Sequence, residues 1–313
     1  MKRHSLLLVA PRHLEWVEEE LPPLRPEEVL VRTAVGSISV GSELPLYRGD
    51  VRSGREAGYP RMTGYENVGI VLAHGDDVSS VHPGQRVFAS YGHRTHGVLP
   101  EGKVVSVPDR VSDQVALLAI LSCDVAKGIR KVAPGPEERV LVAGAGAIGL
   151  LTVFVLRAYG TGNVDVIEPL ADRRVLAAKL GARSAVDPEA SVPDGHAVAF
   201  ECSGRDGAFW LLQRKLGTGG RLCVLSDGNL EPLVLRPEFH EKELSIFASS
   251  DGWDYRQHAR WYFDVVRDVY TGLEDIFDLH TTVKDLPHIF EAMAQEETRP
   301  IKVLIDYEPP ARP

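Results

Sequence analysis

Gly144, Gly146 and Gly149 fall in the order G-x-G-x-x-G, between the apolar run 140–142 and an apolar stretch over 148–159. Strand, glycine turn and helix in that order make a seat for a pyrophosphate. The first glycine allows the tight turn, the second lets the backbone approach the phosphates, and the third lets helix and strand pack closely. Ala147 and Ile148 open the helix, whose unpaired N–H groups and positive dipole end suit an anion. A second apolar run over 164–167 ends on Glu168, nineteen residues beyond Gly149. An acid there accepts hydrogen bonds from ribose hydroxyls and repels a 2′-phosphate, so the pattern predicts NAD(H) in preference to NADP(H). Arg173 and Arg174 follow on the next helix, and an arginine near this point is the feature that accommodates the extra phosphate of the other cofactor.

The elements that must carry this unit alternate from about residue 121 to 270. Helices are predicted over 172–180, 208–216 and 255–270, and strands over 197–201, 220–225 and 244–248. Such alternation implies a parallel sheet with helices on both faces. Residues 1–120 read differently: short β-like runs over 28–34, 67–73, 85–89 and 103–107, broken by glycine and proline, imply a β-rich, barrel-like domain. The tail returns to that style with a helix over 286–294 and a strand over 301–306. The expected fold class is therefore α/β, with a β-rich domain over 1–122, a doubly wound Rossmann domain over 123–271, and a return segment over 272–313 that completes the first.

The 313 residues carry a net charge of −9 and no long basic run, which argues against a nucleic-acid or anionic-membrane partner and for a small-molecule substrate. The apolar run 6–10 is shorter than a signal-peptide core and far shorter than a membrane span, and it reads as a first strand. Cys123, Cys202 and Cys223 are odd in number and form no C-x-x-C, so neither a disulfide framework nor a structural zinc lobe is expected. A cytoplasmic compartment is the expectation.

Local strings carry a family resemblance over nearly the whole chain. They are Gly41-Ser42-Glu43-Leu44 with Tyr47-Arg48-Gly49, Gly64-Tyr65-Glu66 with Val68-Gly69, residues 139–149, Glu201-Cys202-Ser203-Gly204, Gly219-Gly220-Arg221, and Lys242-Glu243-Leu244 before Ser249-Ser250. Together they resemble the medium-chain dehydrogenase/reductase superfamily. The resemblance implies a GroES-like barrel beside the Rossmann domain and an enzyme that transfers hydride with NAD(H), with Ser203 and Ser249 near the cofactor. At the positions that hold the catalytic zinc in zinc-dependent members, this chain has Val40, Tyr65 and Ile120, and none offers a thiolate, imidazole or carboxylate. The four-cysteine lobe is missing, and the chain runs directly through 88–99. Residues 36–43 with 63–66 look most like a zinc-free group that includes the bacteriochlorophyllide hydroxyethyl dehydrogenases, so no metal is expected.

Without zinc, a side chain must stabilise the developing alkoxide and another must handle the hydroxyl proton. The resemblance supplies candidates. Ser42 takes the hydroxyl-relay position. Tyr65 replaces the histidine ligand and either donates to the substrate oxygen or fills the emptied metal pocket, and Glu66 beside it is a further site residue or a structural acceptor. Asp124 and Lys127 lie three apart on the helix leading to the nucleotide domain, as a proton-handling pair or an exposed ion pair. His93 and His96 are expected at the surface or the substrate rim, Trp253 as a substrate wall, a subunit contact or a core residue, and Cys123 and Cys202 as small buried residues. The reading is a zinc-independent NAD(H)-dependent oxidoreductase interconverting a secondary alcohol (a polyol, cyclitol, sugar derivative or larger hydroxyl metabolite) and its ketone. Two alternatives stay open: an NAD(P)H-dependent reductase of an activated C=C bond, and a non-catalytic NAD(H)-binding protein. A homodimer paired through an edge strand at 244–248 or 220–225 is the expected assembly.

Overall fold

A computed structural model describes residues 1–50, 58–227, 231–268 and 272–307 of the chain. The chain divides into two compact units: Met1–Ala119, Arg256–Val269 and Phe277–Pro313 make the first, and Ile120–Tyr255 with Tyr270–Ile276 the second. This differs from the expected division at 122/123 and 271/272 chiefly in the helix Tyr255–Val266, nearly all of which groups with the first unit. The reason is local. The helix buries Ala259, Tyr262, Phe263 and Val266, and the Tyr262 hydroxyl donates to the carbonyl of Val115, a residue of that unit, at 3.0 Å. The last residues of the predicted 255–270 helix lie outside the described ones.

The first unit is built on the long strand Glu28–Ile38, which pairs antiparallel with Asn67–His74, with His96–Pro100 and with Lys302–Asp306. Phe277–Thr282, Arg86–Ala89 and Val104–Ser106 complete a seven-stranded sheet, while Lys2–Ala10 forms a smaller one with His13–Glu20 and Arg61–Met62. Alternation along Glu28–Ile38 sends Val29 and Val31 into one apolar cluster with Val71, Val87 and Leu99, and Ile38 joins another with Leu6, Leu8, Tyr47, Phe290 and Val303. The strand outruns its predicted end at 34 because Gly36 admits a close approach: a Cβ there would stand 3.3 Å from the Glu66 carbonyl oxygen and 3.2 Å from the Tyr307 ring. The return segment is held by more than its ladder. Lys302 Nζ, fully buried, lies 2.7 Å from Glu66 Oε2 and 3.0 Å from Oε1, and the Ser37 hydroxyl donates to Oε2 as well.

The second unit is a six-stranded parallel sheet in the order Ser184–Val186, Val164–Ile167, Val140–Ala143, His196–Glu201, Leu216–Val224, Ser245–Ala248. Strand order reverses between Val140–Ala143 and His196–Glu201, which makes the sheet doubly wound and marks the crevice where such sheets take ligands. Every residue of Val140–Ala143 and Val164–Ile167 is buried, as inner parallel strands covered on both faces require. Asp165 is the one charge among them. Burial pushes its carboxyl up, but hydrogen bonds with His196 (3.0 Å), Arg183 (2.5 Å) and Ser184 (2.6 Å) outweigh that and hold it below the ordinary carboxylate range. The strand predicted over 220–225 starts earlier, at Leu216, and is interior; Ser245–Ala248 is the edge. Among the described residues no helix is long and apolar enough to cross a membrane.

Lys302→Met would leave the Glu66 carboxylate buried without its cation. Removing one partner of such a pair costs about 3–5 kcal/mol, so the urea midpoint should fall steeply. A loss below about 1 kcal/mol would mean that the pair does not hold the return segment.

Candidate active site

The glycine turn has the geometry its spacing implies. Gly144 adopts φ 94°, a left-handed conformation that favours glycine, and its N–H donates to the Ile167 carbonyl at 2.9 Å. A Cβ on Gly149 would stand 1.9 Å from the Gly144 carbonyl oxygen, whereas a Cβ on Gly146 would meet nothing within 4 Å. The third glycine therefore serves packing, and the second leaves its approach clear for a ligand. The helix Ala147–Ala158 starts at Gly146 with no side chain capping it, so Ala147 and Ile148, both part-exposed, keep first-turn N–H groups for an anion.

Glu168, 4% exposed, stands at this turn with its carboxylate fixed: Oε2 accepts the Ala145 N–H at 2.7 Å and Oε1 the Leu170 N–H at 3.0 Å. Arg174 is committed to the carbonyls of Glu168 and Pro169, both at 2.7 Å, and to Asp187. Arg173 stands part-exposed on the helix Ala171–Lys179. Ser203 donates to Glu201, and the Ser249 hydroxyl is buried with no hydrogen-bond partner among the described residues. These residues fit a dinucleotide: an open glycine turn, an uncapped helix start and an acid beyond the second strand.

In the first unit, the Ser42 and Tyr65 hydroxyls lie 3.0 Å apart, and Ser42 Oγ donates to the Ser39 carbonyl at 3.3 Å. Burial, with Glu66 next to it, pushes the Tyr65 phenol well above its ordinary range, more than hydrogen bonds with Ser39 and Ser42 bring it down. Tyr65 is thus a neutral hydroxyl near pH 7, a donor or relay and not a base. Burial also raises the Glu66 carboxyl, against the pull of Lys302 and Ser37. Glu43 accepts the Ser39 N–H at 2.8 Å, and its other oxygen pairs with His93 Nε2 at 2.9 Å. His93 is fully buried, so its expected place at the surface or rim is corrected: the buried Glu43 needs a donor, and the ring also packs edge-on to Phe290. His96 is part-buried.

Asp124 and Lys127 stand part-exposed on the helix Ala119–Val132. Lys127 Nζ donates to the carbonyls of Ser250 and Asp251 at 2.8 and 2.9 Å, and so holds the loop after the edge strand. That loop lies close on the helix: a Cβ on Gly252 would stand 2.4 Å from Cys123 Sγ and 3.2 Å from Asp124 Oδ1. Trp253, 61% exposed, is not a core residue. Cys123 and Cys223 are buried, and Cys202, in the loop beyond its strand, is part-exposed as a residue while its thiol is buried, 3.8 Å from the Thr152 hydroxyl.

Sequence reasoning passed over Glu43, His93, Glu201 and Lys302 as working residues. The signal for two of them was present as a charge inside or ending an apolar run, Ile301-Lys302-Val303 and Val198-Ala199-Phe200-Glu201. Zinc does not fit the positions the resemblance gives it, since Val40, Tyr65 and Ile120 lack the donors, and among the described residues no group of three or more His, Cys, Asp or Glu could hold a metal ion.

The two glycines separate packing from binding. Gly146→Ala should keep the melting temperature of the parent and lose NADH affinity by about tenfold or more, since a methyl group there enters only the ligand's space. Gly149→Ala should lower stability and affinity together. Equal melting temperatures and equal NADH titrations for parent and Gly146→Ala would remove the pyrophosphate assignment.

Residues 25–128 match the family described as the alcohol dehydrogenase GroES-like domain. An L-threonine 3-dehydrogenase of Deinococcus deserti is 26% identical over an alignment that covers 93% of this chain and 95% of that protein. Among solved structures, L-idonate 5-dehydrogenase of Escherichia coli superposes with a TM-score of 0.85 at 17% identity, covering 98% of this chain and 99% of that one. The short chain alcohol dehydrogenase rspB of Escherichia coli, complexed with cofactor NADH, superposes with a TM-score of 0.79 at 24% identity, covering 98% and 99%. Residues 25–128 thus carry the likeness to the alcohol dehydrogenase GroES-like domain, and over nearly its whole length the chain is similar to medium-chain dehydrogenases and shares their fold.

Proposed function

We propose that this chain is a zinc-independent, NAD(H)-dependent oxidoreductase that moves a hydride between a secondary alcohol and the matching ketone. Its likeness to dehydrogenases over nearly the whole chain supports an NAD(P)-dependent oxidoreductase. The finer reading is carried by the Tyr65–Ser42 hydroxyl pair, 3.0 Å apart, at the position the family resemblance gives to a metal ligand and a relay hydroxyl. Glu168 favours NAD(H) within the class, with Arg173 the neighbour that would answer for any use of NADP(H). The zinc-free group named above supports the same reading, with a polyol, cyclitol, sugar derivative or larger hydroxyl metabolite as substrate.

Bound NAD(H) supplies the hydride acceptor or donor. Gly144, Gly146, Ala147, Ile148 and Gly149 would hold its pyrophosphate, Glu168 a ribose, and Ser203 and Ser249 its nicotinamide side. Tyr65, kept neutral, donates a hydrogen bond to the substrate oxygen, where negative charge develops, and Ser42 orients that hydroxyl. Glu66, neutralised by Lys302, backs the tyrosine. Asp124 and Lys127 stay the candidates for proton handling on the second unit, where Lys127 holds the loop after the edge strand. The protein acts in the cytoplasm as a homodimer paired through Ser245–Ala248, without nucleic acid or membrane.

Fluorescence titration of metal-stripped protein with NADH and NADPH, repeated with zinc added, tests cofactor and metal together. Tighter NADH binding and turnover of secondary alcohols that ignores zinc are expected. NADPH preference with reduction of an enone would favour the C=C reductase, and a zinc requirement would overturn the reading.

Tyr65→Phe should lower kcat by roughly 10²–10³-fold with little change in KM, the effect of losing one donor to a developing oxyanion. Because the Tyr65 phenol sits above its ordinary pKa of about 10, the parent profile should show no loss from its ionisation up to that pH. A tyrosine-dependent limb near neutrality would mean that Tyr65 works as a base.

A further inference from the structure

Glu201 is a fully buried carboxylate that the reading above leaves without a task. It ends His196–Glu201, the first strand beyond the reversal of strand order. Its Oε1 accepts the Ser203 N–H at 2.8 Å, the Ser203 hydroxyl at 2.5 Å and the Gly204 N–H at 3.0 Å. Its Oε2 accepts the Gly204 N–H at 3.2 Å and the Ser226 hydroxyl. The Glu201 main-chain carbonyl takes the N–H groups of Leu225 and Ser226 at 2.9 and 3.0 Å. One residue thus ties together the loops that leave two neighbouring strands. The same loops abut the glycine turn, since a Cβ on Gly144 would lie 3.1 Å from both the nitrogen and the Cβ of Ser203.

A serine hydroxyl that donates its hydrogen to a carboxylate has only lone pairs left for a ligand. Ser203 and Ser226 both donate in that way, and Ser203 Oγ also accepts the Arg205 N–H at 3.2 Å, so its acceptor capacity is shared with that loop. With the pyrophosphate at the glycine turn and the adenosine ribose at Glu168, on the near side of the reversal, the other half of a dinucleotide lies over the strands beyond it. That half is nicotinamide riboside, whose ribose hydroxyls and carboxamide N–H groups are donors. We infer that Glu201 is a positioning residue for the nicotinamide-riboside half of the cofactor, fixing Ser203 and Ser226 as acceptors and their loops against the phosphate turn. The inference rests on the cofactor reading above.

The test compares dissociation constants for NADH and for AMP, which carries only the adenosine half, in the parent, Glu201→Gln and Ser226→Ala. In Glu201→Gln an amide NH2 replaces one acceptor oxygen and cannot accept from Ser226 or Gly204. NADH should weaken by about tenfold or more while AMP stays within about twofold, with Ser226→Ala shifting the ratio in the same direction by a smaller factor. Equal weakening of both ligands would reduce Glu201 to a support of the fold, and an unchanged NADH constant would dismiss it altogether. If Glu201→Gln does not fold, Ser226→Ala decides, and an unaltered NADH-to-AMP ratio overturns the inference. A parent protein that binds neither ligand would sink the cofactor reading and this inference with it, whereas a parent that binds both while the variants keep its ratio sinks this inference alone.

Discussion

A carboxylate withdrawn from water must be given donors or a cation, because an unpaired buried charge costs several kcal/mol. This chain buries Glu43, Glu66, Asp165, Glu168 and Glu201, and each meets the demand with groups from other segments. Glu43 draws in His93, Glu66 draws in Lys302 from far along the chain, and Asp165 gathers His196 from the strand two places away in the sheet and Arg183 from the residue before Ser184–Val186. Glu168 and Glu201 take main-chain N–H groups of the loops around the glycine turn. Loops carry function because they can vary, and they work only when something rigid sets their position. Here the buried acids set it.

The same constraint explains how the first unit accommodates the absence of metal ligands. An acid buried where no metal ligands stand beside it must find another positive partner or a proton. Glu66 lies against Lys302 and Ser37, with its carboxyl still raised by burial. The neighbouring Tyr65 is held neutral by burial and by that acid, and its hydroxyl is left with hydroxyl partners. A neutral phenol in a desolvated place stabilises developing negative charge as a fixed dipole, without the reorganisation that water would need.

Much of the second unit was legible in sequence because its information is local. A tight turn, a close helix approach and a phosphate-facing backbone each need glycine at one position, and the spacing follows from one turn of chain; Gly144 and Gly149 have the strained φ and the close contact that this argument requires. Inner strands such as Val140–Ala143 announce themselves as continuous apolar runs. Boundaries were less legible where tertiary contacts set them. Glu28–Ile38 extends past 34 because Gly36 admits a close approach there and Lys302–Asp306, more than two hundred residues away, pairs with the strand's end. The helix Tyr255–Val266 follows a chain segment of one unit yet groups with the other, since its apolar face fits there.

By itself the sequence determined the two-part α/β architecture, the glycine turn with an acid beyond the second strand, and the lack of zinc donors at Val40, Tyr65 and Ile120, because each depends on residue type at short range. Only the tertiary structure decided the partners of the buried charges: His93 for Glu43, Lys302 for Glu66, two main-chain carbonyls for Lys127, and Ser203 with Ser226 for Glu201. The physical reason is that a charge specifies that it must be paired and not with what. Which donor answers depends on what folding brings within about 3 Å, and for Lys302 and Glu66 that donor and acceptor come from opposite ends of the chain.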